Sequence, residues 1–146
     1  MVTVRATTLA DHAGWAPLYA GYAEFYGVTQ TEAMRATVWA WLNDPAHPVK
    51  GFVAERAGQL IGLAHYRPFS RPLSATTGVY LDDLFVDPAA RGSGAADALI
   101  LAIRQEARKN GWSVVRWITA EDKARARKVY DRLAVKTKWV TYDLAP

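Results

Sequence analysis

The sequence predicts one α/β domain, a mixed central β-sheet with about four flanking helices. Three observations carry that expectation. Strand-like and helix-like runs follow one another in the order β-α-α-β-β-β-α-β-α-β, which packs as a sheet covered by helices. Two apolar runs, Gly51 to Arg56 and Leu60 to Tyr66, flank Ala57-Gly58-Gln59 at hairpin spacing. A third apolar run, Val79 to Val86, feeds a helical pattern through a turn of small residues. The chain has 146 residues, within the range of about 100–200 for one domain. No repeat or Pro/Ser-rich linker divides it, so residues 1–146 read as a single domain.

Val2 to Ala6 alternates and is β-branched, predicting a first strand. Trp15, Leu18, Tyr19, Tyr22 and Phe25 then recur at helical spacing up to Gly27, with Pro17 the one irregularity. Thr29 and Glu32 have the spacing of a capping box, and Met34, Val38, Trp41 and Leu42 give the second helix its apolar face. That helix should end before Asp44-Pro45. After the hairpin, the prolines and hydroxyl residues of Pro68 to Thr77 predict a loop. Leu99, Ile103 and Ala107 mark the inner face of a third helix, closed by Asn110-Gly111. Val114 to Thr119 reads as a strand. Ala126, Val129, Tyr130 and Leu133 form one face of a fourth helix, and Trp139 to Leu144 alternates as a final strand.

Composition narrows the chemistry. The chain has no cysteine, which excludes disulfides, thiolate metal sites and cysteine nucleophiles. Apolar runs are too short to span a bilayer and Met1-Val2-Thr3-Val4-Arg5 lacks signal-peptide architecture, so a cytoplasmic protein with no membrane contact is expected. Eighteen Lys and Arg against fourteen Asp and Glu give a net charge of +4, which suits an anionic ligand. His12, His47 and His65 lie far apart, and Ser93 lacks the Gly-x-Ser-x-Gly context. No metal and no serine nucleophile are expected.

The most informative stretch runs from Tyr80 through Asp87-Pro88-Ala89-Ala90-Arg91-Gly92-Ser93-Gly94 to Asp97. The first turn of a helix offers unpaired N–H groups and a positive dipole end, so small residues there let a phosphate reach the backbone. Arg91 adds a cation. A Gly-x-Gly taken alone is equally well explained by a tight turn. The dinucleotide and Walker patterns both fail, for want of a glycine at Asp97 and of any Gly-Lys-Ser/Thr.

These residues resemble the Gcn5-related N-acetyltransferase (GNAT) superfamily. Its Gln/Arg-x-x-Gly-x-Gly/Ala pattern matches Ala89 to Gly94 except at Ala89. Tyr80-Leu81-Asp82-Asp83-Leu84-Phe85-Val86, Ile61-Gly62-Leu63-Ala64 and Tyr130-Asp131-Arg132-Leu133 resemble the diamine (spermidine/spermine) branch most closely. Ala96, where many relatives have glycine, and Lys123, where many have asparagine, depart from the family. The resemblance implies an acyl-CoA N-acyltransferase fold with a splay between two central strands. It also implies acetyl-CoA as co-substrate, held by the backbone of Leu84, Phe85 and Val86 and by Arg91, Gly92, Ser93, Gly94, Ala95, Ala96 and Asp97.

Acetyl transfer to an amine needs a neutral nucleophile, a donor for the oxyanion and a proton for the leaving thiolate. By resemblance, Tyr130 is the phenol beside the sulfur, although its spacing alone would make it a core aromatic. Asp82 and Asp83 are the candidates for the base. Side chains alternate along a strand, so one of the two should face the cleft, and Asp82 is favoured. The first two helices would wall the acceptor with Tyr19, Tyr22, Tyr26, Trp39 and Trp41, near Glu24 and Glu32, which suits a small primary amine such as a polyamine or amino-acid derivative. A protein lysine or N-terminus is a second acceptor class, and an acyl-CoA sensor without turnover is a rival function. The basic face of the fourth helix lacks a nucleic-acid motif, so no nucleic-acid partner is expected. An edge strand left open near the chain end suggests a homodimer.

Overall fold

The computed structural model describes residues 1–146. Five strands, β1 (Thr3–Ala6), β2 (Lys50–Arg56), β3 (Gln59–Arg71), β4 (Thr76–Val86) and β5 (Val115–Arg116), form one sheet in the order β1-β2-β3-β4-β5. The first four are antiparallel and β5 lies parallel to β4, so the sheet is mixed. Four helices complete the molecule: α1 (His12–Phe25), α2 (Glu32–Leu42), α3 (Ala95–Asn110) and α4 (Ala124–Leu133). No helix is long and apolar enough to cross a membrane.

Strand alternation divides the core between the two faces of the sheet. Leu63 and Phe85 point toward α1, where they pack with Trp15, Leu18 and Tyr19. Ala54, Ala64, Val79 and Leu81 point the other way, against Leu99 and Ile103 of α3. Leu99 and Ile103 are 0% exposed, and each buried side chain of this size stabilises the fold by roughly 1.5–3 kcal/mol. The third helix ends as its sequence predicts, on Gly111 at φ 68°. Pro17 lies inside α1, which continues because Trp15, Leu18 and Tyr19 on its buried face hold it against the sheet.

Four local expectations are corrected. The cap of α2 is Thr31, not Thr29: the Thr31 hydroxyl accepts from the Met34 N–H at 3.1 Å. The expected loop over Pro68–Thr77 is a continuation of the β3–β4 hairpin, broken only by a 3-10 turn at Pro72–Ser74. Pro68 is tolerated because it faces Val79, whose N–H bonds outward to Val114, so Pro68 lies at a position whose nitrogen points toward β2. That strand begins at Lys50, opposite Tyr66, and asks nothing of Pro68. The strand expected over Val114–Thr119 pairs only at Val115 and Arg116.

The final strand expected over Trp139–Leu144 is not formed. Residues 135–146 make no hydrogen bond to the rest of the chain, and Trp139 is 86% and Leu144 96% exposed. The nearest edge, β5, offers only two residues, too few to hold a returning strand.

Candidate active site

β4 and β5 pair at Val79–Val115 and Tyr80–Arg116 and nowhere beyond. Past that point β4 runs on to Val86 while the chain after Arg116 turns toward α4, and the sheet opens. The Asp87 N–H donates to the Ile61 carbonyl of β3 at 2.8 Å. By antiparallel alternation the Phe85 N–H also faces β3, whereas Leu84 and Val86 direct theirs into the gap that β5 has left. The gap widens into a cleft of about 990 Å³ between β4, the turn before α3, and α4.

The turn carries the anion-binding features that the sequence suggested. Gly92 and Gly94 adopt φ 79° and 84°, where a side chain would be strained, and a Cβ on either would meet open space. The N–H groups of Gly92, Gly94 and Ala96 have no partner in the protein, while Ala95 donates to the Ser93 hydroxyl at 3.3 Å. Arg91, Lys123, Arg125, Lys128 and Arg132 line the same cleft. The Asp97 carboxylate is bound by Arg132 at 2.7 and 3.1 Å, which fastens the first turn of α3 to α4 and holds that carboxyl below its usual range. A cradle of free amides and cations open to solvent fits a pyrophosphate.

Tyr130 stands on the α4 wall, edge-on to Trp117 with ring centroids 5.4 Å apart. Its hydroxyl makes no hydrogen bond to the protein, and burial with the nearby Tyr26 phenol pushes it up to about 12. Tyr130 is thus both a packing residue and a free donor facing the cleft. Lys123, which precedes α4, reaches from that helix to the end of α1, its ammonium 4.1 Å from the Phe25 ring centroid and 5.1 Å from that of Tyr26.

The alternation expected for Asp82 and Asp83 does not hold, because the β3–β4 register slips between them. Tyr66 faces Leu81 and His65 faces Asp83, so Asp82 is the extra residue of a β-bulge. The bulge brings both carboxylates to the α1 side. Asp82 accepts from Arg67 Nε at 3.0 Å, and its carboxyl is raised by partial burial against the opposing pull of Arg67. Asp83 Oδ2 takes two bonds, from the Tyr19 hydroxyl at 2.9 Å and from His65 Nδ1 at 2.8 Å. Oδ1 has no protein partner.

His65 is 1% exposed, and its Nε2 accepts from the Trp15 indole at 3.0 Å. An indole N–H can only donate, so Nε2 carries no proton and the ring's proton lies on Nδ1, directed at Asp83. The chain Trp15–His65–Asp83–Tyr19 is not legible in the sequence, where the three histidines stand only as residues far apart. No signal short of the register relates positions fifty residues apart.

The aromatic wall is mostly core. Trp39 packs on Trp15, Tyr22 on Phe85 and Tyr19, and Trp41 stacks outward on His47. Tyr26 alone of the five reaches the cleft; Glu24 and Glu32 are exposed.

This arrangement of splayed strands, phosphate-sized turn and cleft-facing phenol defines an acyl-CoA-dependent transferase. The acetyltransferase (GNAT) family model matches residues 15–134, and the chain belongs to that family. It is 29% identical over 143 residues to the D-amino-acid N-acetyltransferase HPA3 of Saccharomyces cerevisiae, covering 97% of this chain and 89% of that one. It is 30% identical over 132 residues to the uncharacterized N-acetyltransferase YhfO of Bacillus subtilis, covering 90% and 87%. Among solved structures it superposes on AAC(6')-Iy in complex with a CoA-S-monomethyl-acetylneamine bisubstrate analogue, with a TM-score of 0.82 at 20% identity over 100% and 99% of the two chains. The protein is a GNAT-family N-acetyltransferase.

Proposed function

We propose that the protein transfers the acetyl group of acetyl-CoA to the primary amine of a small molecule, a polyamine or an amino-acid-like compound, by direct attack on the thioester. One observation carries the reading: a single cleft leads from the unpaired amides of Gly92, Gly94 and Ala96, past the outward N–H groups of Leu84 and Val86, to the free hydroxyl of Tyr130. In this reading the turn residues Arg91 to Asp97 hold the pyrophosphate and Leu84 to Val86 line the pantetheine arm. Asp83, fixed through Oδ2, orients the acceptor ammonium with Oδ1. Asp82 takes the proton, since a carboxyl raised by burial is a better base at neutral pH. A backbone N–H of β4 stabilises the oxyanion.

Tyr130 supports the departing sulfur. An ordinary thiol ionises near about 8.5, so outright proton transfer from a phenol at about 12 runs roughly 5 kcal/mol uphill. A hydrogen bond to the developing thiolate avoids that cost. The named relative HPA3, a D-amino-acid N-acetyltransferase, supports the amino-acid-like acceptor over the diamine suggested by the branch resemblance.

The test is calorimetric titration with acetyl-CoA followed by thiol release with polyamines, amino acids and a lysine peptide. Amine-dependent release with the small molecules is expected. Release with the peptide alone would make this a protein acetyltransferase, and binding without release would make it a sensor. We place the reaction in the cytoplasm and the enzyme in a homodimer. The dimer is supported by the exposed apolar Trp139, Val140, Tyr142 and Leu144, which a second copy would cover.

A further inference from the structure

Beyond the paired carboxylates, the acceptor side of β4 holds a cation. Arg67 on β3 faces Tyr80 across the ladder, and its guanidinium carbon lies 5.0 Å from the centre of the Tyr80 ring. Its Nε is bound to Asp82 at 3.0 and 3.3 Å, while both Nη groups make no hydrogen bond to the protein. The ring and the carboxylate therefore fix the plane of the guanidinium and leave its outer fork open. Half of the arginine's recognition capacity is held ready for a planar anion.

We propose that Arg67 receives the carboxylate of an α-amino acid acceptor and so determines which amines this enzyme acetylates. The inference rests on the small-amine reading above and narrows it. Asp82 and Arg67 form a contact ion pair, one anion and one cation about 3 Å apart. A zwitterionic α-amino acid carries the complementary pair at the same short spacing, its ammonium toward the carboxylates of Asp82 and Asp83 and its carboxylate toward the Nη groups of Arg67. A terminal amine on a long chain places no carboxylate there. A polyamine brings a second cation toward Arg67 and is disfavoured by like charge.

The experiment compares kcat/KM for both enantiomers of leucine with those for leucinamide and putrescine, in wild type and in Arg67→Gln. The amide removes the negative charge and also lowers the basicity of the amine, so the contact is read from the change in the acid-to-amide ratio between wild type and variant rather than from its absolute value. Any disturbance of Asp82 by the substitution acts on acid and amide alike, so the acid-to-amide ratio isolates the carboxylate contact. The acid-to-amide ratio for one or both leucine enantiomers should be about ten- to a hundredfold higher in wild type than in Arg67→Gln, the worth of a hydrogen bond to a charged group. Arg67→Gln should also raise the rate with putrescine relative to leucine. Its circular dichroism and acetyl-CoA affinity serve as the control for folding.

A ratio unchanged in Arg67→Gln overturns the role of Arg67 and leaves the amine transferase standing. Transfer to none of these amines in wild type overturns the small-amine reading, and this inference with it.

Discussion

Tyr130 illustrates how one side chain serves packing and chemistry together. Its ring lies edge-on to Trp117 while its hydroxyl stays free in the cleft. Tyr130→Phe keeps the ring and removes the donor, so turnover should fall by about ten- to a hundredfold, the worth of a hydrogen bond to a charged group such as the departing thiolate. Acetyl-CoA affinity by calorimetry should stay nearly unchanged. Since the phenol is pushed up to about 12, it remains protonated as pH rises through the neutral and mildly alkaline range. Its donor is lost only as pH climbs through that value, so any alkaline limb of kcat centred below about pH 10 must persist in Tyr130→Phe. At this scale the sequence was legible where a role is local. The glycines and Arg91 could be named from the turn they form, whereas Tyr130 was named by the family resemblance, its spacing alone giving a core aromatic. The Asp82/Asp83 pair was named, but its geometry was not, since strand alternation fails across a bulge that only the partner strand defines. Arg67 and His65 acquire their surroundings from β4, Tyr19 and Trp15, and no spacing within the chain announces that.

Among the elements, the turn into α3 gives the clearest case of backbone acting as a binding group. Gly92→Val would place a branched side chain in open space, so it strains φ without clashing inside the protein. A non-glycine residue there costs roughly 1–2 kcal/mol, and the added methyls occupy the room beside the free amides. Acetyl-CoA affinity should fall at least tenfold in a titration while the far-ultraviolet spectrum is kept. Undiminished affinity would make the turn purely structural. The helices were predicted closely because their apolar faces repeat, as Leu99, Ile103 and Ala107 do in α3. The β3–β4 extension was hidden by Pro68 and its neighbours, which suit a loop by composition and a strand only because β2 does not reach them. Val114–Thr119 has strand composition throughout, yet only two of its residues find a partner, since the opening of the sheet is a property of two elements.

For the whole molecule, the exposed C-terminal segment bears on assembly. Light scattering should give twice the 16.1 kDa chain mass, and removal of residues 138–146 should give a single chain mass, with folding retained because those residues make no bond to the body. The open sheet has a different consequence, one of unequal local stability. α4 contains no fully buried residue; it is joined to the body through the partly buried Val129, Tyr130 and Leu133, two rungs of β5, the Asp97–Arg132 pair and the Lys123 ammonium over Phe25 and Tyr26. By contrast, α3 buries Ala95, Leu99, Ile100, Ile103 and Ala107 against the sheet. Amide protons of residues 117–133 should therefore exchange with deuterated solvent well before those of α3. A ligand that spans the cleft stitches this flap to β4, slows its exchange and raises the melting temperature, by about 2.7 kcal/mol of added stability at a hundredfold excess over Kd. Acetyl-CoA lying along the cleft would thus brace α4 as well as supply the acetyl group.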